Sequence, residues 1–90
     1  MKRIRWSAYA RKKAAKREVQ ENEVERTIAR PDSTVLGHRR RRVFMRRYFD
    51  AILETEMLLR VVVEERDEEL TVVTLYKTSK FAKYEVPRES

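Results

Sequence analysis

Cysteine is absent from these 90 residues, and His38 is the sole histidine. A disulfide framework, a thiolate metal site and a histidine-based metal cluster within one chain are therefore excluded, and we expect no metal and no cofactor. The sole glycine, Gly37, excludes a glycine-rich phosphate-binding loop. The sequence contains no combination of a cysteine or serine with a nearby histidine that would indicate a nucleophile for covalent catalysis.

Long apolar segments are also missing. The first residues are basic but no apolar run follows them, which argues against a signal peptide or a membrane span. We predict a cytoplasmic protein without membrane contact, built as a single domain over residues 1–86 with a flexible tail over residues 87–90. One asparagine and one glutamine among many arginines and glutamates are typical of a heat-adapted composition.

Positive charge dominates the residues that are present. The net charge is +7 and the isoelectric point is about 10.1. Residues 1–50 carry sixteen lysines and arginines against six acidic residues, whereas residues 51–90 carry six against nine. An excess of this size favours a polyanionic partner, most often a nucleic acid. A well-solvated surface without such a partner is the alternative.

Residues 57–77 predict the hairpin around which the domain is organised. Two runs rich in β-branched residues, 58–63 and 70–76, indicate strands, and the acidic residues 64–69 between them indicate a turn. The first of these strands is apolar on both faces. We therefore place it in the middle of a sheet that is covered on each side.

The rest of the chain predicts further elements: a strand at residues 2–6, a helix at 8–18 capped by Ser7, a helix at 21–29 stopped by Pro31, an edge segment at 33–36 and a strand at 43–49. Four small or apolar residues should turn the first helix towards the sheet: Ala8, Ala14, Ala15 and Val19. Gly37 should mark an unusual backbone dihedral. The predicted fold class is α+β, with the order β-α-α-β-β-β or one strand more, and an antiparallel sheet with two helices packed on one face.

Basic residues outside the hairpin are the candidates for binding nucleic acid. They form a stripe on the first helix, a run of four arginines after Gly37, and scattered positions later in the chain. The set is Lys12, Lys13, Lys16, Arg17, Arg39, Arg40, Arg41, Arg42, Arg46, Arg47 and Lys83. Four successive arginines repel one another unless an anion or solvent lies between them. A solvated loop is the alternative for that run.

The hairpin itself carries groups suited to RNA cleavage without a metal. Such cleavage needs a base for the 2′-OH, cations for the pentavalent phosphorane and an acid for the 5′ oxygen. The chain offers Arg60, Glu64, Arg66, Tyr76, Lys77, Lys80 and Tyr84 near the hairpin. Arg60 interrupts an apolar strand and needs a partner there. Either it pairs with a neighbouring glutamate, or it faces a phosphate-sized cleft on the uncovered side of the sheet.

Several short motifs form a recognisable pattern. Trp6-Ser7 precedes the first helix and Pro31-Asp32 ends the second, while Val61-Val62-Val63-Glu64 opens the hairpin and Thr74-Leu75-Tyr76-Lys77-Thr78-Ser79-Lys80 closes it. With these motifs the chain resembles a small domain family distantly related to the RelE/BrnT group of toxin ribonucleases. The resemblance covers most of the chain and implies a RelE-like β-α-α-β-β-β core.

The resemblance also implies roles for individual residues. Glu65-Arg66 matches a Glu-Arg pair of the relatives, and Tyr76 stands where they have arginine, as Tyr9-Ala10 stands where they often have His-Ala. The implied activity is that of a metal-independent endoribonuclease or a degenerate relative of one. Glu65 or Tyr76 would transfer protons, and four cations would hold the phosphate: Arg60, Arg66, Lys77 and Lys80.

The implied partners are RNA, in some relatives at the ribosome, and an antitoxin protein that covers the basic face. Two alternatives stay open beside the toxin-like function. One is a non-catalytic nucleic-acid-binding module, which needs only the basic residues. The other is a protein-interaction module, in its simplest form a homodimer joined through residues 43–49 as an exposed strand edge.

Overall fold

Five strands and three helices make up the fold of residues 2–85, the part of the chain that the computed structural model describes. Their order is β1 (Arg3–Trp6), α1 (Ala8–Lys16), α2 (Glu21–Ala29), β2 (Ser33–Leu36), β3 (Arg41–Asp50), β4 (Thr55–Glu65), β5 (Glu69–Thr78) and α3 (Phe81–Tyr84). The α+β class is confirmed, and the strands form one mixed sheet. No helix within residues 2–85 is long and apolar enough to cross a membrane. The predicted tail at 87–90 lies outside the described residues.

The strand that is apolar on both faces lies at the centre of the sheet, as predicted. The strand order is β1-β5-β4-β3-β2, and β4 pairs antiparallel with both of its neighbours. The prediction of a wholly antiparallel sheet is wrong for β1, which runs parallel to β5 with Arg3 opposite Glu69. Because β1 joins the far side of the last strand, its direction depends on a pairing that local sequence patterns do not report.

The main core lies between the sheet and helices α1 and α2. On β4, Leu59, Val61 and Val63 face the helices, and all three are fully buried. From α2, Val24 and Ile28 reach the same core, as the four-residue spacing predicts. Burial of such side chains contributes roughly 1.5–3 kcal/mol each and holds the two layers together.

Helix α1 begins where expected but turns a slightly different face to the sheet. Ser7 is its N-cap, and the Ser7 hydroxyl accepts a hydrogen bond from the Ala10 backbone N–H at 3.0 Å. Of the four residues predicted to face the sheet, Ala14 and Val19 are buried, whereas Ala8 and Ala15 are exposed. Ala10, four residues before Ala14, is buried in addition, so the predicted face of the helix is only partly correct.

The hairpins at the β2–β3 and β4–β5 ends are tighter than predicted. Of the predicted acidic turn, Glu64 and Glu65 belong to β4 and Glu69 to β5, so the turn proper holds only residues 66–68. Gly37 has no positive φ; the residue in left-handed geometry is Arg39, with φ of 60°. A Cβ on Gly37 would lie 3.3 Å from the Arg41 carbonyl oxygen, so glycine is explained there by close packing.

The predicted edge strand at 43–49 is internal over residues 43–45 and an edge over residues 46–49. β2 covers β3 from Arg42 to Met45, whereas residues 46–50 of β3 lack a partner strand on that side. The end of β3 and the turn that follows it expose three large apolar side chains, Phe49, Ile52 and Leu53. This apolar tip lies at the opposite end of β3 from the arginine run.

A pair of leucines tests where the core lies. Leu59 is fully buried on β4, and Leu53 is 52% exposed in the β3–β4 turn. Leu59→Ala should lower the free energy of unfolding by about 2–5 kcal/mol because it leaves a cavity. Leu53→Ala, the matched control, should change it by less than about 0.5 kcal/mol. Urea denaturation followed by circular dichroism measures both values, and equal losses would contradict this packing.

Candidate nucleic-acid interface

The sheet face opposite α1 and α2, here called the open face, has only partial cover. Three adjacent strands each contribute two side chains to this face: Arg41 and Val43 from β3, Arg60 and Val62 from β4, and Thr74 and Tyr76 from β5. The short helix α3 lies against one part of it, where Tyr84 and Phe81 contact arginine side chains. Towards the β4–β5 turn no helix within residues 2–85 covers the face, and Val43 and Val62 are only half-buried there.

Arg60 lies between two tyrosine rings on this face. Its guanidinium carbon is 5.0 Å from the Tyr76 ring centroid and 4.4 Å from that of Tyr84, and the two rings meet edge to face at 6.0 Å. These distances are those of cation–π contacts, which are worth about 0.5–2 kcal/mol each. Tyrosines on a neighbouring strand and on α3 therefore fix the position of a half-buried cation.

The predicted ion pair between Arg60 and a neighbouring glutamate does not form. Arg60 is flanked in the sheet by Met45 and Tyr76, so no carboxylate lies opposite it, and none within residues 2–85 forms an ion pair with it. Its buried Nε has no hydrogen-bond partner in the described chain. Burial lowers the pKa of Arg60 from its usual value, partly opposed by Tyr84.

Two lysines complete what is here called the tyrosine–cation cluster: Arg60, Tyr76, Tyr84, Lys13 and Lys83. The Lys13 ammonium is 5.7 Å from the Tyr76 ring centroid and donates a hydrogen bond to the Thr74 hydroxyl at 3.2 Å. Lys83 lies 5.2 Å from the centroid of Tyr84. Tyr9, 62% exposed, extends the group of rings beyond Lys13. Positive charges and aromatic surfaces thus alternate along this side of the sheet.

Arg47 holds α3 in place. Its guanidinium contacts groups of the protein, whereas the sequence predicted contact with nucleic acid. Its guanidinium carbon lies 4.1 Å above the Phe81 ring, and its nitrogens contact Glu85 at 2.6 Å and Glu56 at 3.1 Å. The hydrogen bonds that Arg47 donates to these carboxylates, those to Glu85 first, raise the pKa of Arg47. Arg47 therefore holds the helix that carries Tyr84, and so acts on the cluster through α3.

The arginine run after Gly37 separates into paired and unpaired members. Arg42 lies 3.6 Å from Glu65, and further along β3 Arg46 lies 3.6 Å from Glu23. Three others form no ion pair within residues 2–85: Arg39, Arg40 and Arg41. They line a cavity of about 570 Å³ at the end of the sheet.

The basic stripe on α1 is exposed, as predicted. Lys12, Lys16 and Arg17 are all exposed and form no ion pair with the described carboxylates. Lys13, from the same predicted stripe, turns instead towards the tyrosine rings. Nucleic-acid binding by the exposed members of this stripe stays a prediction.

The structure does not bring the six predicted catalytic residues together. Arg60 and Tyr76 lie side by side on the open face, and Lys80 precedes α3. Glu65 lies about 17 Å from Arg60 along β4, at about 3.3 Å per residue, where it pairs with Lys2 at 3.0 Å. A hydrogen bond from Lys2 lowers the pKa of Glu65. Arg66, in the turn beyond it, pairs with Glu64 at 2.8 Å. One site therefore cannot use both Arg60 and Glu65.

Lys77 lies on the helix-covered face, in a buried network that the sequence did not suggest. Its ammonium donates to Asp50 at 2.6 Å, and Asp50 also accepts from the Tyr48 hydroxyl and from the backbone N–H groups of Ile52 and Leu53. The turn-forming position of Asp50 before residues 51–54 was the available signal. Burial alone would raise the pKa of Asp50, but the bonds from Lys77 and the backbone lower it to about 2.

Comparison with known proteins finds no matching family, no matching curated protein and no matching solved structure. What bears on the function of this chain is therefore the chemistry and placement of its residues.

The network around Asp50 predicts a dependence of stability on pH. The carboxyl group has a lower pKa in the folded chain than its ordinary 3.8, so it stabilises the fold above about pH 4. That contribution should be lost as the pH falls from about 4 towards 2. Asp50→Asn should be less stable at pH 7, and its stability should fall less over that acidic range. Thermal unfolding at a series of pH values measures the difference, and parallel curves would contradict it.

The surroundings of Arg60 predict that its replacement by methionine changes the free energy of unfolding very little. The two cation–π contacts of Arg60 are opposed by the cost of its buried Nε, which has no hydrogen-bond partner within residues 2–85. Methionine can occupy similar space against aromatic rings. Arg60→Met should therefore lie within about 1 kcal/mol of the wild-type free energy of unfolding. Leu58→Ala, its fully buried neighbour on the same face of β4, should cost about 2–5 kcal/mol. A similarly large loss for Arg60→Met would assign Arg60 a structural role.

Proposed function

We propose that this protein binds RNA through the open face, with the tyrosine–cation cluster at the centre of the site. The observation that carries the proposal is Arg60, a cation held between Tyr76 and Tyr84 without a carboxylate in the described chain. An RNA phosphate would supply the missing negative charge. The rings beside it offer stacking surfaces for bases, and such stacking tolerates any base sequence.

The charge distribution supports a nucleic acid over a small anion. A net charge of +7 on 90 residues attracts polyanions over distances of about 10 Å at ordinary salt concentrations. Cations on α1, in the arginine run and in the cluster extend the attraction beyond one phosphate. RNA, in preference to DNA, is the ligand that the resemblance to toxin ribonucleases implies.

The element order also supports the proposed relationship to RelE/BrnT-like toxins. The chain runs β-α-α-β-β-β-β before α3, which is the order expected of a RelE-like core with one additional strand. We propose a degenerate member of that group, because Glu65 lies far from Arg60 and Lys77 is bound to Asp50. An antitoxin-like protein that covers the open face would be the corresponding protein partner.

RNA cleavage is the second candidate function, favoured by the two phenols beside Arg60. Tyr76 and Tyr84 could exchange protons with RNA while Arg60 stabilises the charge on the phosphorane. Of the two residues that the sequence suggested for proton transfer, Glu65 and Tyr76, such a reaction would use Tyr76. Incubating RNA with the protein in the presence of a metal chelator, then separating the products by gel electrophoresis, distinguishes cleavage from binding.

Substitutions in the cluster test the binding site. Arg60→Met and Tyr84→Leu should each weaken binding of a short fluorescent RNA, measured by anisotropy. Stacking on an aromatic side chain is worth about 1–3 kcal/mol per base, so Tyr84→Leu should weaken binding roughly 5- to 150-fold.

The matched control is Arg11→Met. Arg11 is also a cation beside an aromatic ring, 5.6 Å from the centroid of Trp6, but it is exposed and pairs with Glu21 at 2.6 Å. Its replacement removes the same charge and should change RNA affinity by no more than about threefold, as expected for one exposed contact. Equal effects of Arg60→Met and Arg11→Met, or no RNA binding by the wild type, would refute the proposed site.

A further inference from the structure

The unpaired arginines Arg39, Arg40 and Arg41 form a second positively charged site at the end of the sheet. The cavity of about 570 Å³ that they line also contains His38, Glu64 and Arg66. Its one carboxylate, Glu64, is engaged by Arg66 through two hydrogen bonds, at 2.8 and 3.1 Å. The three arginines therefore retain their charge without a protein counterion among the described residues.

Backbone hydrogen bonds hold this loop in place. The Gly37 N–H donates to the Arg41 carbonyl at 2.8 Å, and the Arg41 N–H donates to the His38 carbonyl at 3.2 Å. The Glu65 N–H donates to the Arg40 carbonyl at 2.8 Å and so joins the loop to the end of β4. The backbone of the loop is thus held in one conformation, with three like charges on successive residues whose mutual repulsion a bound anion would reduce.

The arginine loop and the tyrosine–cation cluster lie along the same face. Arg41 is opposite Glu64 on β4, and Arg60 lies four residues earlier on that strand, so the two sites are about 13 Å apart. Between them, Val62 lies opposite Val43 on one side and Thr74 on the other. Two positive sites are therefore separated by a half-buried aliphatic floor.

We infer that the ligand of the open face is a single-stranded polynucleotide that runs along β4 and places phosphates at both positive sites. This inference rests on the proposed function and adds the class and path of the ligand. A single strand exposes its bases, which can cover Val43 and Val62 and stack on the tyrosine rings. A duplex turns its charged backbone outward and encloses its bases, so it would set phosphates against the aliphatic floor.

A first experiment compares ligands with the unmodified full chain. Anisotropy titrations use one short RNA, the same RNA in a blunt duplex with its complement, and a DNA of the same sequence. The single-stranded RNA should bind at least about tenfold more tightly than the duplex, because the duplex hides its base faces. The DNA titration identifies the sugar: weaker binding of the DNA shows that the 2′-OH contributes, and equal binding shows a general single-strand site.

A second experiment tests the arginine loop with paired variants. The double substitution Arg39→Asn with Arg41→Gln removes two of its charges, and asparagine tolerates the left-handed backbone at position 39. The control is Arg26→Gln with Arg30→Gln, which removes two charges from the end of α2 on the other side of the sheet. Circular dichroism verifies that both proteins are folded.

The salt dependence of RNA affinity then separates the outcomes. Loss of two phosphate contacts should reduce the log–log slope by about 1.4, at about 0.7 per phosphate on a single strand, and only the loop variant should show it. Equal slopes in the loop and control variants, or tight binding of the duplex, would overturn this inference. The proposed function would survive that result if Arg60→Met and Tyr84→Leu still weaken binding.

Discussion

Burial of β4 on both sides is the constraint from which the rest of the structure follows. Its residues Leu59, Val61 and Val63 face α1 and α2, and Leu58 on the opposite side is also fully buried. A chain of 90 residues has few elements with which to cover two faces of a sheet. The two longer helices cover one face, and the four residues of α3 cover only part of the other. The half-buried remainder of that face is where the proposed ligand would lie.

The arginines on and beside the sheet fall into two groups that differ in their contribution to the stability of the fold. Arg42, Arg46 and Arg47 are paired with glutamates, and partly or fully exposed pairs of this kind contribute only about 0–1 kcal/mol each. The buried Nε of Arg60 has no hydrogen-bond partner within residues 2–85, which costs about 1–3 kcal/mol where it is not compensated. Groups that reduce stability and have no role in packing tend to be found at functional sites.

Local patterns in the sequence identified most elements, and non-local pairing explains most of the errors. Ser7, Pro31 and the β-branched runs act on adjacent residues, so the helices and the central strands could be located from them. The parallel direction of β1 and the contact of Lys77 with Asp50, 27 residues earlier, depend on which strands become neighbours. For the same reason, the sequence showed that Arg60 is unusual but not which residues lie beside it. Its neighbours are tyrosines and not the expected glutamate, which only the folded structure shows.

The parallel pairing of β1 with β5 has a consequence for how the chain folds. Residues 3–6 find their partners at residues 69–72, so the sheet joins β1 to β5, the last strand within residues 2–85. During synthesis, β1 cannot pair until residues 69–72 have been made, whereas β2 and β3 can form their hairpin much earlier. Closing a loop of this length is entropically costly, and contacts this far apart in sequence slow folding. β1 should therefore dock on the sheet after the β2–β3 hairpin has formed.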